Sequence, residues 1–185
     1  MVFRGRREER REERHEGRRE ERGAVHYRMR QKLVSIGDDY WIEDGDGRRA
    51  YKVDGKALRV RETLNFEDPR GDTLLRIQER MLRVRDTMEI EDPGGRTVAR
   101  VKQAMITPLR DRMTVEIPGG QDLHVQGNLL DHEYKIEADG RPVAEVSKRW
   151  FRVADTYGVE IQPGQNEVLV LAVTTVIDQM TSPDR

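Results

Sequence analysis

The 185-residue chain contains no cysteine. That absence removes disulfide frameworks, thiol nucleophiles, iron–sulfur clusters and cysteine-based zinc sites, and nothing calls for an oxidising compartment. Aromatic residues make up only 5% of the chain, and neither charge sign dominates: 34 Lys and Arg face 35 Asp and Glu, for a net charge of -1. Nucleic-acid binders carry a strongly basic face, so no nucleic-acid partner is expected. Long apolar runs are missing too. The longest, Val168 to Val173, falls far below the ~20 residues that cross a bilayer. The N-terminus, MVFRGRREER, enters charges with no apolar signal region. The expected location is the cytoplasm, at most peripheral to a membrane.

Catalytic constellations are equally scarce. The three serines (35, 147, 182) lie outside any G-x-S-x-G elbow. Of the four histidines, His15 and His26 fall in or beside the N-terminal charge run. His124 and His132 are eight residues apart without H-E-x-x-H spacing, so they are expected at the surface or in turns and no metal site is expected. GDG at 45–47 and PGG at 93–95 and 118–120 match neither a phosphate-binding loop nor a dinucleotide fingerprint, and their setting marks them as turns. The acidic group Asp38, Asp39, Glu43, Asp44 and Asp46 lacks the calcium-loop spacing and suits a solvated strand end. Adjacent acids such as Glu91 and Asp92 point to opposite faces of a strand, which disfavours acid–base work by the pair. No cofactor is implied, and an enzyme is not expected.

What the chain has in excess is charge, 37% of residues against ~25% in ordinary domains. Much of it lies at the start. Residues 1–22 hold nine Arg and seven Glu in an RREE-like repeat that sets like charges four apart, which argues against a stable helix. Residues 1–25 are therefore assigned as a disordered tail, 26–181 as one domain and 182–185 as a short C-terminal tail.

From Tyr27 on, short alternating apolar runs are broken by Asp, Gly and Pro. Six units align by their turns: 42–53, 66–77, 90–101, 115–125, 136–146 and 159–170. Each reads as a hairpin, with a turn able to supply positive φ and second arms apolar on one face only. Up to six hairpins give about twelve strands, enough to close a barrel and leave no exposed edge. The segment Asn166 to Met180 is apolar on nearly every side. Its β-branched content suits a buried strand, while its length, Asn166 as N-cap and the spacing of Leu169, Val173, Val176 and Met180 suit a helix. Length favours the helix, and a barrel needs such a filling.

The ordered set YRMRQKLVSIGDDYWIED (27–44), DGRRAYKVDGKAL (46–58), LNFEDPRGDTLLRIQERML (64–82), EYKIEADGRPVAEVSKRW (133–150) and VLVLAVTTVIDQM (168–180) resembles the LURP-one-related family. The resemblance implies a mainly β, tubby-like fold: a twelve-stranded antiparallel barrel around a buried apolar C-terminal helix. Tubby proteins bind phosphoinositide headgroups and the scramblase relatives are membrane-associated, so lipid binding enters as a fold-level analogy.

Two basic groups are candidate ligand-binding residues. Arg83 and Arg85 share one face around Val84, and Lys148, Arg149 and Arg152 surround Trp150. Cations beside an aromatic ring are what contact with an anionic headgroup or membrane surface uses. Met81, Met88, Met105 and Met113 are expected to fill the core, and Trp41 to pack in the first strand. The expected function is a non-enzymatic binding module for lipid headgroups or a membrane surface. The alternative is a structural or regulatory domain that binds a protein partner and no lipid. Oligomeric state is not encoded in any of these features.

Overall fold

The computed structural model describes residues 23–30, 40–54, 63–80, 87–103, 111–150 and 156–181. Its architecture is set by a repeated turn. Asp44, Asp68 and Asp92 each follow an apolar residue and a glutamate. The carbonyl of each accepts the N–H of the glycine three residues on, Gly47, Gly71 and Gly95, at 2.9, 3.0 and 2.9 Å. The carboxylate of each accepts the N–H four residues on, from Arg48, Asp72 and Arg96. The glycines sit at φ of 77°, 90° and 82°, where a side chain costs roughly 1–2 kcal/mol. The strand pairing shifts register at each of these turns, adding a bulge and local twist.

Such turns join Tyr40–Asp44 (β2) to Arg49–Asp54 (β3), Thr63–Glu67 (β4) to Thr73–Arg80 (β5), and Thr87–Glu91 (β6) to Thr97–Gln103 (β7). Asp111–Glu116 (β8) and Leu123–Asn128 (β9) form the fourth hairpin, and Glu133–Ala138 (β10) and Arg141–Ser147 (β11) the fifth. The sixth unit differs from expectation. Its first arm is Thr156–Ile161 (β12), but its second arm is the start of a helix, Glu167–Thr181 (α1). The twelfth strand is instead Val25–Arg30 (β1), which pairs with β12 along six residues and with β2, closing the barrel. Trp41 therefore lies in the second strand. It faces outward, with the Arg49 guanidinium 4.6 Å over its ring.

Alternation splits every strand into a dry face and a wet one. Ile42, Phe66, Ile90, Val115, Ile136 and Val159 occupy equivalent places in the six units, and all are fully buried. Met88 and Met113 join them, while Met81 and Met105 lie outside the described residues. The outer wall carries cross-strand ion pairs such as Arg100 with Glu89 and Lys102 with Glu116. Much of the domain's charge is thus spent on a solvated barrel exterior, where each pair contributes little to stability.

Helix α1 fills the barrel. Asn166 Oδ1 accepts the Leu169 N–H at 3.1 Å, capping its start as expected. Every residue from Val170 to Asp178 is buried, so the helix has no wet face. It meets opposite walls: Tyr27 Oη of β1 donates to Glu167, Tyr40 Oη of β2 bonds Thr175 Oγ1 at 3.1 Å, and β5, β6, β7 and β12 pack against it. The hydroxyls of Thr174 and Thr175 donate to the carbonyls of Val170 and Leu171, satisfying themselves within the helix.

Candidate functional site

The tight turns gather at one end of the barrel. At the other end β11 finishes at Ser147 and runs into a single 3-10 turn, Lys148–Trp150. Glu133, opposite Ser147 in the ladder, holds that turn. Its carboxylate accepts from Ser147 Oγ at 2.9 Å and from the Lys148 N–H at 3.1 Å, while Ser147 Oγ accepts the Arg149 N–H. The chain is thereby bent back over the outside of β12. Gly158, on the outward face of β12, leaves room beneath Trp150.

A pocket of about 140 Å³ results, lined by His26, Tyr27, Trp150, Gly158 and Glu160. His26 and Glu160 are cross-strand partners, with Nε2 and Oε2 3.1 Å apart. The His26 and Trp150 rings meet edge to face at a centroid distance of 6.3 Å. The lining is the His26 and Trp150 rings, Tyr27, one carboxylate and a glycine floor.

Of the residues nominated from sequence, Trp150 lines this pocket, and Lys148 and Arg149 precede it in the same turn. Arg83, Arg85 and Arg152 lie outside the described residues. The three play different parts. Trp150 is 41% exposed. Arg149 extends into solvent, touching only the edge of Glu133 at 3.5 Å. Lys148 is half-buried, and its charge bears on Asp178 near the C-terminal end of α1, where a cation also suits the helix dipole. The neighbouring β9–β10 turn leaves the same rim, because β10 begins at Glu133. It exposes Leu130 at 60% while burying Leu129.

That turn also corrects the reading of His132. Its backbone is in a turn, at φ 52°, but its side chain is buried in the barrel mouth, with Nε2 2.5 Å from Asp178 Oδ1 and its ring 4.3 Å from that of Tyr157. Burial pushes the Asp178 carboxyl above its usual range, and the bond to His132, with the charges of His132 and Lys148, pulls it part of the way back. Burial first, then the Asp178 charge, drives the Tyr134 and Tyr157 hydroxyls upward. The pair pins the end of α1 to the β9–β10 turn. One signal pointed to it: a carboxylate deep in the apolar stretch of the helix needs a buried partner. His26, Gly158 and Glu160 carried no such signal, since they meet only through the ladder that closes the ring.

Among the described residues, no three His, Cys, Asp or Glu gather to hold a metal ion, and no helix is long and apolar enough to cross a membrane. The fold defines the class: a closed twelve-stranded antiparallel barrel around its own C-terminal helix. The family model for LURP-one-related proteins matches residues 25–178, and the chain belongs to that family. An X-ray structure of a protein from Arabidopsis thaliana superposes with a TM-score of 0.64 at 15% identity, over 86% of this chain and 93% of that one. At that identity the likeness is one of fold. No curated protein matches the chain significantly in sequence.

Proposed function

We propose that this protein is a non-enzymatic binding module that docks peripherally on a membrane surface through the rim carrying Leu130 and Lys148–Trp150. The observation that carries the reading is the placement of Leu130 and Trp150. They are the two large apolar side chains exposed among the described residues, and they leave the barrel from paired strand ends with Lys148 and Arg149 beside Trp150. An aromatic ring and a leucine suit the acyl boundary, and the cations suit lipid phosphates. Among the described residues, outward charges elsewhere on the wall meet in cross-strand pairs such as Arg100 with Glu89 and Lys102 with Glu116, which supports this rim as the contact.

Co-sedimentation of the full chain with neutral and anionic vesicles, at low and near-physiological salt, tests it. Binding is expected to strengthen with anionic lipid and weaken with salt. It should drop in Leu130→Ser/Trp150→Ala and in Arg149→Ala. Lys148 is left intact because its charge also acts on Asp178. Absence of binding to every vesicle, or binding indifferent to these changes, overturns the reading in favour of a domain that docks a protein partner.

A further inference from the structure

We propose that the pocket between Trp150, His26 and Glu160 is a subsite for a quaternary ammonium group, and that its ligand is the phosphocholine headgroup. The proposal deepens the membrane reading and rests on it for the ligand's source. Size comes first. At about 140 Å³ the pocket is smaller than the ~300–1,000 Å³ of sites that enclose a whole drug-sized ligand. It suits one compact group at the end of a longer molecule.

Chemistry selects which group. The carboxylate of Glu160 disfavours an anion, and the indole of Trp150, packed edge to face with His26, offers a cation an electrostatic surface without demanding hydrogen bonds. Both Glu160 oxygens are already engaged: Oε2 with His26 Nε2 at 3.1 Å, and Oε1 accepting from Gln162 Nε2 at 3.3 Å. A primary ammonium brings three N–H donors that need acceptors. A quaternary ammonium brings none and needs only rings and a nearby negative charge.

Position then selects the molecule. The turn that supplies Trp150 presents the cations Lys148 and Arg149 immediately before it, and the Arg149 side chain is 84% exposed. A phosphate two carbons from a trimethylammonium nitrogen suits a ring-lined subsite whose tryptophan directly follows an exposed arginine in the chain. Gly158 lines the floor.

The test is titration of the full chain with phosphocholine, tetramethylammonium and inorganic phosphate, followed by tryptophan fluorescence and by histidine resonances in NMR. Trp41 is the other of the chain's two tryptophans, so Trp41→Phe leaves Trp150 as the sole reporter. Phosphocholine is expected to saturate and to shift the His26 ring signals. Trp150→Ala and Glu160→Gln should each weaken it by about tenfold, with Trp150→Phe retaining most of the affinity and all variants melting with the parent. Phosphate binding as well as phosphocholine, or Glu160→Gln binding unchanged, overturns the proposal. Tighter binding of a trimethyllysine peptide overturns the lipid source. Vesicle binding that soluble phosphocholine does not compete sinks this inference and leaves the membrane reading standing. Phosphocholine binding without any vesicle binding does the reverse.

Discussion

Two glycines of this barrel separate backbone strain from steric exclusion. Gly71 has φ of 90°, and a Cβ placed on it meets nothing within 4 Å, so Gly71→Ala costs strain alone, roughly 1–2 kcal/mol. Gly127, at φ 144°, would drive its Cβ to 2.4 Å from the Glu133 carbonyl oxygen and 2.6 Å from Tyr134 Cα. Both obstacles are backbone and cannot swing aside, so Gly127→Ala is expected to cost about 3 kcal/mol or more. Denaturant titration of the two variants checks the order, and equal losses would mean that β9 and β10 yield where the geometry says they do not. Asp178 offers a test of sign. Burial raises its folded-state value above the ordinary 3.8. The unfolded chain therefore releases this proton first, so the carboxyl's contribution to stability is fully present below the ordinary value and is lost as pH rises through the folded one. Asp178→Asn keeps an acceptor for His132 but cannot ionise. His132, Lys148 and Tyr157, which face the group, are common to both proteins. The stability of the variant relative to the parent should therefore rise as pH climbs past the ordinary carboxyl value of 3.8 and level off once the buried carboxyl itself has ionised. A difference that does not change with pH refutes the buried-carboxyl account.

At the scale of elements, helix α1 tests whether the barrel is built around its filling. Leu171 and Val173 are fully buried inside the ring. An unpaired charge there costs several kcal/mol against a total stability of about 5–15 kcal/mol, so Leu171→Asp or Val173→Asp should abolish cooperative melting, while Leu171→Met should change it little. A soluble Leu171→Asp protein that melts like the parent would remove the helix from the core. Elements were legible in the sequence where their signals are local. Asp-x-x-Gly marks a turn because the carboxylate and the glycine act within five residues, and Asn166 marks the helix start because its bond spans three. The twelve-strand count was right, yet the sixth hairpin was not one. Gln162 to Asn166 has the composition of a turn in either case, and the segment after Asn166 differs from a second strand arm only in being apolar on all sides. Strand β1 went uncounted because no tight turn joins it to its main partner β12. Likewise Lys148, Arg149 and Trp150 are neighbours in sequence and could be grouped from it. His26 and Glu160 are 134 residues apart, and His132 and Asp178 meet only when the helix is inside.

At the scale of the whole molecule, closure depends on the longest-range pairing in the chain. Residues Val25 to Arg30 pair one for one with Ile161 to Thr156, and β1 also pairs with β2. Contacts so far apart in sequence form late and slowly, after the local hairpins exist. Until they form, β2 and β12 present open edges of the kind that recruit other chains. The same ladder sets His26 against Glu160 and so builds the pocket, which ties the candidate site to the closing step of the fold. Two truncations divide the N-terminal region on this basis. A chain starting at residue 23 keeps all of β1, and its melting temperature should equal that of the full chain within error. A chain starting at residue 31 lacks β1. It should lose cooperative melting or aggregate, and it cannot carry the His26 subsite. If the shorter chain melts cooperatively as a monomer, β1 is not the closing strand. If the chain starting at residue 23 is markedly destabilised, the Arg/Glu-rich residues before it contribute to the barrel, and their balanced charge serves packing against the wall instead of solvation.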